Sequence, residues 1–126
     1  MTRQNTLFTA IFAGIVAAVA GCDKAPSMSF KNDVNPLLNK YCAECHTAQG
    51  EGTRESGYEV GSYEAVMMGT KYGPVVVAGD STSSSLYRLV SGEVHESIQM
   101  PHGKEKLSAE EISVIQNWID QGAKNN

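Results

Sequence analysis

Cys42-Ala43-Glu44-Cys45-His46 is the stretch on which the fold of this chain turns. C-x-x-C-H is the attachment pattern of c-type haem, and each residue in it has its own chemical task. The two thiols add across the two vinyl groups and become thioethers. The two residues between them let both sulfurs reach from one turn of chain. The histidine follows at once, so its imidazole is placed to ligate the iron from the proximal side. A bare C-x-x-C also serves as a redox dithiol, and C-x-x-C with a histidine can be half of a zinc site. The adjacent histidine, the lack of a second cysteine pair and the export signal described next favour one covalently bound haem c.

Residues 1–21 read as a targeting segment. Arg3 is the one basic residue of a short polar start, and Leu7 to Ala20 is apolar apart from Thr9 and Gly14. That length suits a signal-peptide core and falls short of the ~20 residues a membrane span needs. The run ends Val19-Ala20-Gly21-Cys22, which resembles a bacterial lipobox, with Cys22 lipidated as the first mature residue. An ordinary secretory signal and an uncleaved N-terminal anchor are the alternatives. All three put the domain outside the cytoplasm. The expected location is therefore the periplasmic side of a bacterial membrane. Asp23 resembles an inner-membrane retention signal and tilts the expectation that way. The three cysteines are then all assigned, Cys42 and Cys45 to haem and Cys22 to lipid, leaving none for a disulfide. Several acyl chains on one residue give stable anchoring where one chain would be marginal.

Loss of Arg3 with residues 1–21 takes the formal charge from −4 to −5 and leaves 105 of the 126 residues, enough for one domain. An acidic carrier pairs most easily with a redox partner that presents a basic docking patch. The mature chain is acidic and has no basic cluster, so nucleic acid is not an expected partner.

Residues 22–29 read as a tether, and residues 30–124 as the domain. Phe30, Val34, Leu37, Leu38 and Tyr41 fall on one helical face. Pro36 is tolerated if the helix is capped at Asn32 or Asp33, which places the proline near its first turn. Thr47 to Gly61 is polar and glycine-rich and reads as a surface loop, with a short extended piece at residues 58–60. Ser62 caps a short helix, Tyr63 to Met68, closed by Gly69. Val75 to Val77 reads as extended. A helix follows over about Ser83 to Ser91, closed by Gly92, and then a polar loop, Glu93 to Gln99. The last helix is the clearest. Ser108 and Glu111 form a capping box, Leu107 and Ile112 flank it as a staple, and Ile112, Ile115, Trp118 and Ile119 form one buried stripe. Gly122 is its expected stop.

Beyond Cys42–His46, an aromatic lead-in with Val34, Pro36 and Leu38 precedes the motif. After it come Gly73-Pro74-Val75-Val76-Val77 to Asp80, Ser84-x-Leu86-Tyr87-Arg88, Met100-Pro101, and Trp118-Ile119 to Gly122-Ala123. Together, over about Phe30 to Ala123, these resemble the small monohaem cytochrome c domains called planctomycete-type. The resemblance implies an all-α, class I cytochrome c fold. Its N- and C-terminal helices, Phe30–Tyr41 and Ser108–Ala123, cross near Trp118, with short helices and small extended segments between. It also implies that Met100 is the distal iron ligand, 54 positions after His46. Met67 and Met68 are rivals whose ordinary role is packing, Met28 precedes the domain, and His95 and His102 are rivals that are ordinarily just solvated. Gly73-Pro74 resembles the turn whose proline carbonyl orients the proximal histidine, although Pro74 stands 28 positions after His46, farther than usual. Tyr63, Tyr72, Tyr87 and Arg88 are candidates to reach the haem propionates.

A filled sixth site points to a lipid-anchored carrier that transfers single electrons between redox proteins, without being an enzyme. An opening sixth site points instead to a small-ligand sensor or a peroxide-handling enzyme. A third reading is an electron-entry subunit of a larger complex.

Overall fold

Pro36 shapes the start of the domain. Its ring has no N–H to donate and collides with the carbonyl four residues back in a regular helix. The chain widens the turn ahead of it. In the computed structural model, which describes residues 26–126, Phe30–Val34 is a π-helical turn that runs into α1, Asn35–Tyr41. The Val34 N–H reaches back to the Ser29 carbonyl at 3.2 Å, and the Asn35 N–H to that of Phe30. Pro36 thus sits in the first turn of α1, where a missing N–H costs little. Because the π-turn absorbs the proline, the helical run begins earlier than Asn32 or Asp33. Its cap is Ser29, whose Oγ accepts from the Asn32 N–H at 3.1 Å, while Asp33 accepts from the Ser29 N–H at 2.7 Å.

The last helix, α5 (Ala109–Asp120), carries the capping box expected of it. The Glu111 N–H donates to Ser108 Oγ at 3.2 Å, and the Ser108 N–H donates to Glu111 Oε2 at 2.8 Å. It ends in a Schellman motif. The Gly122 N–H bonds to the Ile119 carbonyl and the Ala123 N–H to that of Trp118, with Gly122 at φ 100°. This helix packs across the π-turn, so the two ends of the domain cross as the resemblance implies. Trp118 lies at that crossing, 1% exposed. Its ring is 5.5 Å from that of Phe30 and edge-on to Tyr63 at 6.5 Å, and its Nε1 donates to the Lys124 carbonyl. Val34, Leu38, Ile115 and Ile119 fill the space between the helices.

The middle of the chain is helical too. Residues 47–61 are not a plain loop, because Glu51–Ser56 forms a short helix, α2, ended by Gly57 at φ 76°. Glycine, threonine and serine are weak helix formers, and one and a half turns do not stand alone. Tertiary contacts hold α2, among them the Thr53 N–H on the Cys45 carbonyl at 3.1 Å. Helix α3 (Tyr63–Met68) has the expected Ser62 cap and Gly69 stop. Helix α4 (Ser85–Ser91) starts two residues later than its periodicity suggests, because Asp80 Oδ1 ties up the Thr82 hydroxyl and the Ser83 N–H in a turn. A 3₁₀ turn, Glu96–Ile98, lies in the loop after it. Residues 58–60 and 75–77 make no strand. Among the described residues the one β-type pairing is an isolated Thr70–Gly73 bridge. Also among these residues, no helix is long and apolar enough to cross a membrane.

Candidate haem site

Helix α1 ends directly into the Cys42–His46 turn. The Cys42 N–H donates to the Leu38 carbonyl, and the Cys45 and His46 N–H groups donate back to the Cys42 carbonyl at 3.1 and 2.9 Å. The turn is therefore helical in its winding. Residues at i, i+3 and i+4 share a face of such a turn, and these three are Cys42, Cys45 and His46. All three line one cavity. Both cysteines are free thiols, Cys42 half-buried and Cys45 exposed. Burial, and then the neighbouring Cys45, pushes the Cys42 thiol up to about 11, so it stays protonated at neutral pH.

The His46 ring is held on several sides. Its Nδ1 lies 3.1 Å from the Tyr58 carbonyl oxygen. A carbonyl can only accept, so Nδ1 carries the proton and Nε2 keeps its lone pair for a metal. The His46 carbonyl accepts from the Val60 N–H at 3.0 Å, and the Tyr58 ring stands edge-on to the imidazole at 5.4 Å. Helix α2 closes against the ring through Gly52. A β-carbon there would fall 2.7 Å from His46 Cε1 and 2.9 Å from Nε2. Gly50 lies as close to the Cys45 main-chain carbonyl, which leaves no room for a β-carbon.

The cavity measures about 440 Å³, within the range of cofactor sites. Val75, Leu86, Leu89 and Val90 give it apolar walls, and Met100, Pro101 and His102 bound it as well. Met100 is anchored by its N–H on the Leu89 carbonyl at 3.0 Å. The residues fit a haem. The attachment thiols and an imidazole with a free Nε2 share a cavity with a thioether, and Gly52 puts no β-carbon against that nitrogen. The rivals of Met100 divide. Met67 packs against the core, Met68 is 78% exposed, and His95 is exposed with its Nδ1 on Ser97; none of these lines the cavity, whereas His102 does.

Two expectations about the surroundings of the haem need correcting. The carbonyl opposite His46 Nδ1 belongs to Tyr58, 12 positions on, and not to Pro74. Pro74 is off the cavity, in the turn that closes against Gly69. Tyr63, Tyr72, Tyr87 and Arg88 are also off the cavity. Tyr63 instead bonds the Ala123 carbonyl, and Tyr72 is 83% exposed. The polar side chains that do line it include Ser56, Thr70 and Lys104. Sequence reading missed Tyr58, Gly50, Gly52 and Thr53. The apolar-x-apolar pattern of Tyr58 and Val60 and the paired glycines just after the motif were the available signals. Cys22 lies outside the described residues, as do residues 1–21.

The model of the family described as planctomycete cytochrome C matches residues 42–102. The match supports a planctomycete-type cytochrome c domain in this chain. The matched stretch opens at Cys42 and closes at His102, so it spans the cavity from the attachment turn to the Met100 loop. No curated protein and no solved structure matches the chain. A cytochrome c domain implies haem c binding and suggests haem-based electron transfer. Among the described residues, no cluster of three or more His, Cys, Asp and Glu side chains could hold a bare metal ion.

Proposed function

We propose that this protein is a lipid-anchored, periplasmic monohaem cytochrome c that passes single electrons between redox proteins. The observation that carries the reading is one apolar cavity that gathers Cys42, Cys45, His46 and Met100. Bound haem supplies the ferrous–ferric couple. The chain supplies the rest. Cys42 and Cys45 fix the position of the group covalently. His46, with Nδ1 held by Tyr58, offers Nε2 as proximal ligand. Met100 offers a thioether, which favours the ferrous state and raises the potential. Val75, Leu86, Leu89 and Val90 keep water from the site. The domain fits an electron-transfer protein, and a place inside an oxidoreductase complex is compatible with it.

Lipid on Cys22 would hold the carrier near membrane partners, with the inner membrane favoured by Asp23, and the acidic mature chain suits a partner with a basic patch. An absorption spectrum of the oxidised protein tests the ligand set. A weak band at the red edge of the visible range is the mark of methionine on ferric iron in class I cytochromes c, and its absence would favour a sensor or peroxide-handling role. The anchor is tested by Cys22→Ala. That variant should move to the soluble periplasmic fraction with its haem intact, and unchanged membrane fractionation would remove the lipobox from the reading.

A further inference from the structure

Helix α2 is the element the haem-binding motif does not explain. It is six residues long, carries a glycine in its first turn, and sits against the proximal imidazole. Gly52 has no left-handed backbone to excuse it, and the obstacle to a side chain is instead the His46 ring, at 2.7 Å from Cε1 and 2.9 Å from Nε2. The next residue acts on the other ring nitrogen. Thr53 Oγ1 donates to the Tyr58 carbonyl at 2.8 Å, the same oxygen that faces His46 Nδ1 at 3.1 Å. Two adjacent residues of α2 therefore bear on the two nitrogens of one imidazole.

We propose that α2 sets the orientation and donor strength of the proximal histidine, with Gly52 and Thr53 as its positioning residues. This rests on the reading of His46 as a haem ligand. Gly52 lets the helix approach until it bounds the ring, so the imidazole has one seat. Thr53 shares the Tyr58 carbonyl with the Nδ1–H. An acceptor that serves two donors draws less strongly on each, and a weaker pull on Nδ1–H leaves Nε2 a weaker donor. Removing the hydroxyl should strengthen the pull, stabilise the ferric state and lower the potential.

The test uses the full-length holoprotein and three variants, with reduction potential and the oxidised-state magnetic resonance spectrum as readouts. Gly61 has nothing within 4 Å of an added β-carbon, so Gly61→Ala is the control and should match the parent in both. Gly52→Ala should change the ferric-to-ferrous ratio at the parent midpoint by about threefold or more, a modest effect among groups that orient metal ligands, and should alter the spectral signature of the axial imidazole. Thr53→Val should lower the potential. If Gly52→Ala fails to mature, Thr53→Val decides alone. Potentials and spectra for Gly52→Ala and Thr53→Val that coincide with Gly61→Ala would overturn the role of α2 while leaving the haem reading in place. A parent protein without covalent haem would overturn both.

Discussion

At the scale of single residues, the question is which side chain faces His46 across the cavity. Met100 lines the cavity and is tethered by its main chain to Leu89, whereas Met67 packs in the core and Met68 points to solvent. Met100→His should keep the haem, because both attachment cysteines remain. It should lose the thioether's preference for ferrous iron, so the potential should fall by something on the order of a hundred millivolts, inside the wide range axial ligands span. Met67→Leu exchanges one apolar filler for another of similar volume and should leave potential and spectrum alone. His102→Gln provides the remaining comparison, since His102 is the one rival on the cavity wall. A potential that follows His102 and ignores Met100 would transfer the distal role to the histidine.

At the scale of elements, α5 was legible in the sequence and α2 was not, for one physical reason. Helix α5 carries its own instructions, namely a capping box, a staple, one apolar stripe and a glycine stop, all local in sequence. Helix α2 has a glycine stop, Gly57, and little else that is local; its Thr53 N–H bonds the Cys45 carbonyl and Gly52 abuts the His46 ring, neither visible from composition. The π-turn lies between these cases. Pro36 announced a disturbance, yet whether the helix would start after it or widen around it depended on Phe30 being wanted against Trp118. The cap of α5 also joins the helix to α1. Glu111 accepts from the Ser108 N–H, the Tyr41 hydroxyl at 2.7 Å and Lys40 Nζ at 3.1 Å. These bonds, the Ser108 backbone first, hold its carboxyl down at about 2. A carboxyl with a depressed folded pKa stabilises the fold above its unfolded value, and that contribution fades as pH falls toward the folded one. Melting temperature should therefore drop from about pH 4.5 down to about 2, in part through Glu111. Glu111→Gln can keep the box and loses the charge, so it should flatten that limb of the profile. An equally steep fall in the variant would place the acid sensitivity elsewhere. Ser108→Ala, which removes the cap itself, should cost ~1 kcal/mol at every pH.

For the whole molecule, the decisive quantity is how much core a domain of this size can build around a 440 Å³ cavity. Two blocks share the load. One is the helix crossing, where Trp118→Ala would remove the largest fully buried side chain and should cost ~3–5 kcal/mol in thermal or denaturant unfolding. Because Trp118 does not line the cavity, the surviving protein should keep its spectrum and potential. The other block is the cavity wall. Hollows in protein cores cost ~24 cal/mol per Å³, so 440 Å³ of unfilled core corresponds to at most about 11 kcal/mol, an upper bound because an open cavity takes in water. The net stability of a whole domain is only ~5–15 kcal/mol, and small domains have the least surplus burial to offset such a loss. The attachment turn therefore has to hold the filling group permanently, although α4 also packs on α5. Cys42→Ala and Cys45→Ala should each cut the yield of covalent holoprotein sharply, and the protein that escapes attachment should show weakened helix signal and a broad, poorly cooperative melt. The crossing alone, through Phe30, Tyr63 and Trp118, can keep the two terminal helices partly together. A haem-free variant with native helix content and a sharp transition would mean that the apolar wall collapses and packs on itself, and that the cysteines serve electron transfer without serving the fold.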